Sequence, residues 1–214
     1  MKHTLLIITA LMLVVGCSSP EPINYEETLN KRDGVFYTKD TNEPYSGQVF
    51  SLYDDGKKKE EGTIKDGRKD GEWTYWCECG QKSEEGTWKD GKRDGKWTEW
   101  QHDNGQKRSE GTWKDGKRDG KWTEWHDNGQ KWSEGTYKDW DEDGKWTRWH
   151  ENGQKEYEEN YKNGEKDGKW TEWHDNGQKR SEVTYKDGYE DGKWTYWDEN
   201  GQKSTRRPGG PDGE

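Results

Sequence analysis

The side chains able to do chemistry in this chain recur at fixed intervals. Ser83, Ser109, Ser133 and Ser181 fill one slot of a repeating pattern, and His126, His150 and His174 fill another. Catalysis needs one asymmetric pocket whose residues play different roles. A regular array supplies one residue in one role many times over, so the chain reads as a non-enzyme with no cofactor and no small-molecule substrate. As a column the histidines would stand about 9–10 Å apart, two strand spacings, whereas the ligands of one zinc ion each lie about 2.0–2.1 Å from it. That leaves a solvated strand end rather than a metal site. Asp139, Asp141, Asp143 and Gly144 imitate the opening of an EF-hand calcium loop, but the twelfth position is His150, where a bidentate Glu is required. An acidic turn between hairpins is the expected reading. Cys77 and Cys79 form a C-x-C pair with no second pair and no nearby His set to complete a zinc site. A bridge between them would close a small strained ring, so thiols lying free or adventitiously oxidised in a turn are expected.

The residues that remain are aromatic. The chain of 214 residues holds 16 Trp, 11 Tyr and 28 Gly, while hydrophobic residues make up only 23% and charged residues 38%. Beyond residue 16 there is no Ala and no Met, and the aliphatics reduce to Ile23, Leu29, Val35, Val49, Leu52, Ile64 and Val183. This excludes an aliphatic core, and with it an ordinary α/β enzyme or a helical bundle. Any core must come from the rings, each of which buries a large area. The net charge is −10. Phosphate neutralisation dominates nucleic-acid affinity, so an acidic chain without a basic stripe is not expected to bind nucleic acid.

The elements that position these rings follow from a period. Val49, Trp73, Trp97, Trp122, Trp146, Trp170 and Trp194 are separated by steps of 24, 24, 25, 24, 24 and 24 residues. A fixed period of this length marks an array in which each unit buries surface against its neighbours. Trp, Tyr and Thr favour strands, and no stretch has a 3.6-residue period. Asn-Gly recurs at Asn128-Gly129, Asn152-Gly153, Asn176-Gly177 and Asn200-Gly201, with Asp55-Gly56 and Cys79-Gly80 as substitutes. Read as two-residue type I′ hairpin turns, these set Trp122 opposite Gly135, Trp73 opposite Gly86 and Val49 opposite Gly62. They also set Trp125 opposite Trp132 and Trp173 opposite Arg180, the latter as a cation–π pair. Asp115-Gly116 and Asp119-Gly120 then turn the chain between units. Later the glycine column loosens to Glu159 and Val183, and the extra residue Gln101 is expected as a β-bulge in a strand. Trp122 and Trp125 point to opposite faces, and Trp88, Trp113, Tyr137, Tyr161 and Tyr185 of the second strands interleave between first-strand rings. The expected fold is all-β, a single-layer array of about seven antiparallel β-hairpin repeats over residues 33–203.

The ends read differently. Lys2 and His3 lead into the apolar run Leu5 to Val15, too short to span a membrane and shaped like a signal h-region. It closes on Val14-Val15-Gly16-Cys17, which resembles the lipobox of bacterial lipoproteins, and Ser18-Ser19-Pro20 follows. That resemblance implies a signal peptide over 1–16, a lipidated Cys17 followed by a tether to residue 32, and a lipid-anchored place in the bacterial envelope, with sorting to the outer membrane. Two or more acyl chains would anchor stably where one is marginal. Residues 204–214 are expected as a disordered tail.

The unit G-K-W-T-E-W-x-x-N-G-Q-K-x-x-E-G-T-W/Y-K-x-G-K-x-D-G resembles the MORN repeat variant, and the whole is similar to bacterial YwqK family antitoxins, which also open with an element like Pro44-Tyr45-Ser46-Gly47. The resemblance implies a MORN-like solenoid and an antitoxin or immunity protein, with wider relatives that scaffold at membranes. Asp139-Trp140, where other units have Asp-Gly, and the lipobox depart from it. The partners expected are membrane lipid through Cys17 and a toxin-like or envelope protein. Trp76, Trp100, Trp125, Trp149, Trp173 and Trp197 are the candidate contact surface, since Trp is enriched at interface hot spots. The alternatives are a surface module for glycan or quaternary-ammonium ligands and a structural envelope spacer. The anchor is directly testable: Cys17→Ser should abolish metabolic acyl labelling and membrane association, and label persisting on Cys77 or Cys79 would overturn the lipobox reading.

Overall fold

A computed structural model describes residues 20–204. Cys17, the signal segment and the tail beyond Ser204 lie outside the described residues. From Gly47 onward the chain forms consecutive hairpins: Gly47–Leu52 with Lys58–Lys65, Arg68–Trp76 with Lys82–Lys89, Lys92–Trp100 with Lys107–Lys114, Lys117–Trp125 with Lys131–Lys138, and Asp141–Trp149 with Lys155–Lys162. The sixth and seventh first strands are interrupted, as Glu165–Lys166 with Gly168–Trp173 and Tyr189–Glu190 with Thr195–Trp197. Each strand pairs antiparallel with the next, in one large sheet that does not close into a barrel. One parallel strand, Ile23–Asn24, lies along Gly47–Leu52 and makes the sheet mixed.

The stretch expected as a tether to residue 32 is folded from Ile23 onward. A single helical turn, Tyr25–Thr28, leads into a small antiparallel pair, Leu29–Arg32 with Val35–Thr38. Tyr25, Leu29 and Phe36 pack with Val49, Ile64 and Trp73 in a small core. The physical reason is the open edge of the first hairpin, which has no preceding unit to cover it. Six of the seven aliphatics noted above fall between residues 23 and 64, where they supply the cover that rings supply elsewhere.

The ladder places Trp122 opposite Gly135, Trp73 opposite Gly86 and Val49 opposite Gly62, as the spacing predicts. The turns, however, are exchanged. At the Asn-Gly end His126 pairs with Gln130, and Gly129 donates to the His126 carbonyl. The loop therefore has three residues with only its glycine at positive φ, 81°, which is the type I turn plus G1 bulge. The type I′ turns sit between units instead, where Asp115 and Gly116 both have positive φ, 51° and 83°. The bulge shifts the register after Glu124, so Trp125 pairs with Lys131 and Trp132 is left over and 43% exposed. Trp173 likewise faces Lys179 rather than Arg180. The extra residue Gln101 enters no strand. It pairs with Gln106 and lengthens its turn to four residues, closed by Gly105 donating to the Gln101 carbonyl.

The core is a lock between neighbouring strands. A Cβ at Gly111 would lie 1.7 Å from the Trp122 ring, and one at Gly86 1.9 Å from the Trp97 ring. Each indole thus lies flat on the glycine of the strand before it, not on its partner across the hairpin, whose glycine is covered by the next indole. Trp113 stands edge-on to Trp122 at 6.0 Å, and Tyr137 bridges Trp122 and Trp146 at 6.3 and 4.9 Å. Cations cap the stack, with Arg93 3.9 Å from the Trp97 ring centre and Arg118 4.1 Å from that of Trp122. Burying such a ring is worth about 3–5 kcal/mol on truncation, and crowding it costs about 1–3 kcal/mol. Gly111→Ala should therefore destabilise the chain by about 3 kcal/mol in urea unfolding. In a Trp122→Ala background the same change should cost far less, because the ring it strikes is gone.

Candidate binding face

The lock consumes one side of the sheet, and the alternation of the strands sends every third-following Trp to the other. Trp76, Trp100, Trp125, Trp149, Trp173 and Trp197 occupy the same position in successive hairpins and are all half-buried. They form one row on the side away from the locked indoles. Each has the ammonium of a lysine from the preceding hairpin over its ring. These are Lys58 on Trp76 at 5.3 Å, Lys82 on Trp100 at 6.0 Å, Lys107 on Trp125 at 5.7 Å, Lys131 on Trp149 at 5.6 Å, Lys155 on Trp173 at 5.4 Å and Lys179 on Trp197 at 5.5 Å. The expected Trp173–Arg180 pair is absent, and Arg180 instead bonds the Glu172 carboxylate at 2.8 Å.

Between the rings runs a charged lattice. Lys96 and Lys107 both bond Glu110, at 3.1 and 2.6 Å. The arrangement repeats as Lys121 and Lys131 on Glu134, Lys145 and Lys155 on Glu158, and Lys169 and Lys179 on Glu182. Partial burial works against ionisation of these carboxyls, but the paired lysines outweigh it and hold all four below the ordinary range. Thr112, Thr123 and Trp125 share a groove with the first two of these clusters. The signal was present as lysines at the 24-residue period, but their common face depends on the bulge at Trp132.

The remaining candidates serve the array. His126, His150 and His174 are half-buried, and each Nε2 contacts the carbonyl of the Trp one unit on, at 2.7, 3.5 and 3.1 Å. Tyr53 does the same to Trp76. The column expected as a solvated strand end is therefore a row of bridges between units. Asn128 Oδ1 accepts from the Gln130 N–H within its own turn, while its Nδ2 donates to the Glu151 carbonyl of the next. Asn104, Asn152 and Asn176 repeat that step. In the second unit Cys77 and Cys79 take the His and Asn slots and are joined by a disulfide, not left as free thiols. The turn brings their Cα atoms to 5.1 Å, within disulfide span. Ser109, Ser133 and Ser181 are buried and donate to Glu99, Glu124 and Glu172 of the adjacent strand. Among the described residues no group of three His, Cys, Asp or Glu is placed to hold a metal ion.

Two units lose the locked-side glycine, to Glu159 and Val183, and the first of them also changes its charges. Glu142 stands where other units have Arg93 or Arg118, Arg148 where they have Glu99 or Glu124, and Glu159 replaces the glycine. Glu159 is 3% exposed, 3.6 Å from Arg148 and 3.4 Å from the Tyr161 hydroxyl. Trp170, which would otherwise lie on a glycine here, is only half-buried.

The sequence profile of the MORN repeat variant matches four consecutive stretches, 118–139, 142–163, 166–187 and 190–205. Each of the first three runs from the Arg118 position of one hairpin to the turn before the next, so the matched repeat and the structural unit coincide. The hairpins before residue 118 continue the same period with the same ring-on-glycine contact. No curated protein matches the chain. The chain is thus a repeat array, matched to the MORN repeat variant over these four stretches, in which a single surface motif is presented several times.

The buried carboxyl gives this region a pH dependence. Burial pushes Glu159 up, Arg148 opposes it, and the nearby Glu142 reinforces it. The native state then holds a proton that the unfolded chain releases. Stability is greatest at or below the ordinary carboxylate range and falls as pH rises through the raised value. Glu159→Gln should match the wild type in acid and exceed it increasingly toward neutral pH, as read by urea midpoints across that range.

Proposed function

We propose that this chain is a lipid-anchored, non-enzymatic protein-binding module. It is held in the bacterial envelope through Cys17 and captures a toxin-like or other envelope protein in the manner of an antitoxin or immunity protein. The observation that carries the reading is the row of six half-buried Trp on a sheet face that no second layer of the described chain covers. Large rings held rigidly beside charged neighbours are the residue pattern of interface hot spots, and the locked indoles opposite leave this row free of structural duty in the core. Binding is stoichiometric, since each polar candidate recurs in the same role from unit to unit. The quaternary-ammonium alternative loses support from the lysines, because each ring of the row already carries a cation of the protein itself.

The test is a triple substitution, Trp125→Ala, Trp149→Ala and Trp173→Ala, in the full chain. Capture of the partner from envelope extract should be lost while the far-ultraviolet circular dichroism of the sheet is retained. Retained capture with retained fold would make the row structural only and sink the reading. Trp122→Ala, by contrast, should chiefly destabilise.

A further inference from the structure

The chain is acidic overall, yet its charges are sorted. On the face that bears the Trp row, each of four consecutive units sets two lysines against one glutamate, as in Lys121 and Lys131 on Glu134. Strand alternation adds a third exposed lysine per unit at the strand ends, Lys114, Lys138, Lys162 and Lys186. The ladder and the same alternation also place Lys92 and Asp94, Lys117 and Asp119 on this face. Two successive units thus each set four lysines against two carboxylates and are cationic, whereas Asp141 and Asp143, then Glu165 and Asp167, balance the lysines of the next two. The chain as a whole carries −10. The excess is accessible: the side chains of Lys96 and Lys121 are 68% and 67% exposed.

We propose that the protein captured by this face meets it with an acidic surface patch, recognised by the lysine rows that flank the Trp row. This rests on the protein-binding reading above and names the chemistry of its partner. Of the arginines, which suit bidentate phosphate recognition, Arg93 and Arg118 are spent on the opposite side, where they stack on locked indoles. A long polyanion such as nucleic acid would run off the cationic rows onto turns rich in Asp and Glu. A folded partner with a local acidic patch meets only the rows, and complementary charge of this kind steers encounter and suppresses wrong partners.

The test uses the full chain and two fourfold variants at Lys96, Lys121, Lys145 and Lys169, one to Glu and one to Gln, the second guarding against misfolding caused by added carboxylates. A short peptide bearing a run of six glutamates is the probe, followed by Trp fluorescence over a salt series. The wild type should bind it with an affinity that falls steeply with salt, and both variants should bind at least tenfold more weakly with an unchanged circular dichroism spectrum. Equal binding by the Gln variant would overturn the proposal. So would tighter wild-type binding to double-stranded DNA, or to phosphatidylglycerol vesicles, than to the hexaglutamate peptide. Envelope capture by the same variants separates the two readings. If the Trp variants lose the partner and the Lys variants keep it, protein binding stands and the acidic patch falls; if neither loses it, the protein-binding reading itself fails.

Discussion

The contact of an indole with a strand glycine is the constraint on which the rest of this molecule depends. The Trp122 ring rests on Gly111, the Trp97 ring on Gly86 and the Trp146 ring on Gly135, so tightly that no Cβ fits beneath any of them. This converts a sheet with almost no aliphatic residues into a packed structure, because each ring buries itself in the space that a missing side chain leaves. It also makes every unit rely on the one before it. The array is therefore held together by nearest-neighbour contacts, and its first unit needs a substitute, which Tyr25, Leu29 and Phe36 supply over Val49 and Ile64.

The same contact divides labour between the two sides of the sheet. On the locked side, Arg93 and Arg118 lie over rings, and Ser109 and Ser133 bond Glu99 and Glu124, so polar groups there are consumed by the stack. On the other side the Trp row and its lysines have no second layer to hold. Function can be placed there without cost to the core, which is why a repeated surface motif and a repeated core motif coexist in one period. The edges are fixed independently, by Asn and His bridges at one set of turns and by paired Asp-Gly turns at the other. At the second edge each turn also bonds the unit before it, as Gly116 does to the Arg93 carbonyl and Trp140 to that of Arg118. Trp140 adopts a φ of 84° in a slot that favours glycine, and its ring stands edge-on to Trp113 at 5.0 Å. An aromatic contact there offsets a strained backbone.

Where the glycine is lost, to Glu159 and then to Val183, the first strand of the following unit is interrupted. With Glu159 in that slot, its carboxyl is enclosed between Arg148 and Tyr161, Trp170 is only half-buried, and the next first strand is split at Asp167, which bonds the Asn160 carbonyl. Arg148, standing where other units have a glutamate, supplies the charge that keeps Glu159 from being orphaned. Neighbouring units retain their register on both sides.

Period, strand content and the Trp–Gly register were legible in the sequence, because a side-chain alternation of two and a repeat of 24 leave few ways to pair Trp122 with Gly135. The candidate Trp row was legible for the same reason, as residues three positions beyond the locked rings. The turn types were not. Asn-Gly and Asp-Gly both offer a glycine for positive φ, and the three-residue loop forms equally at Asp55-Gly56, Cys79-Gly80 and Asn200-Gly201, so the residue pair alone does not choose the turn. The partner of Trp173 was hidden for the same reason, since the bulge moves the pairing on its turn side by one residue. The folded segment from Ile23 was hidden because its polarity resembles a tether, and only the uncovered edge of the first hairpin explains its burial. Composition alone determined that the core is aromatic and the chain acidic. Tertiary structure alone decided that the lysines gather on one face, because an average over the sequence cannot tell which side of a strand a charge occupies once a bulge has shifted its phase.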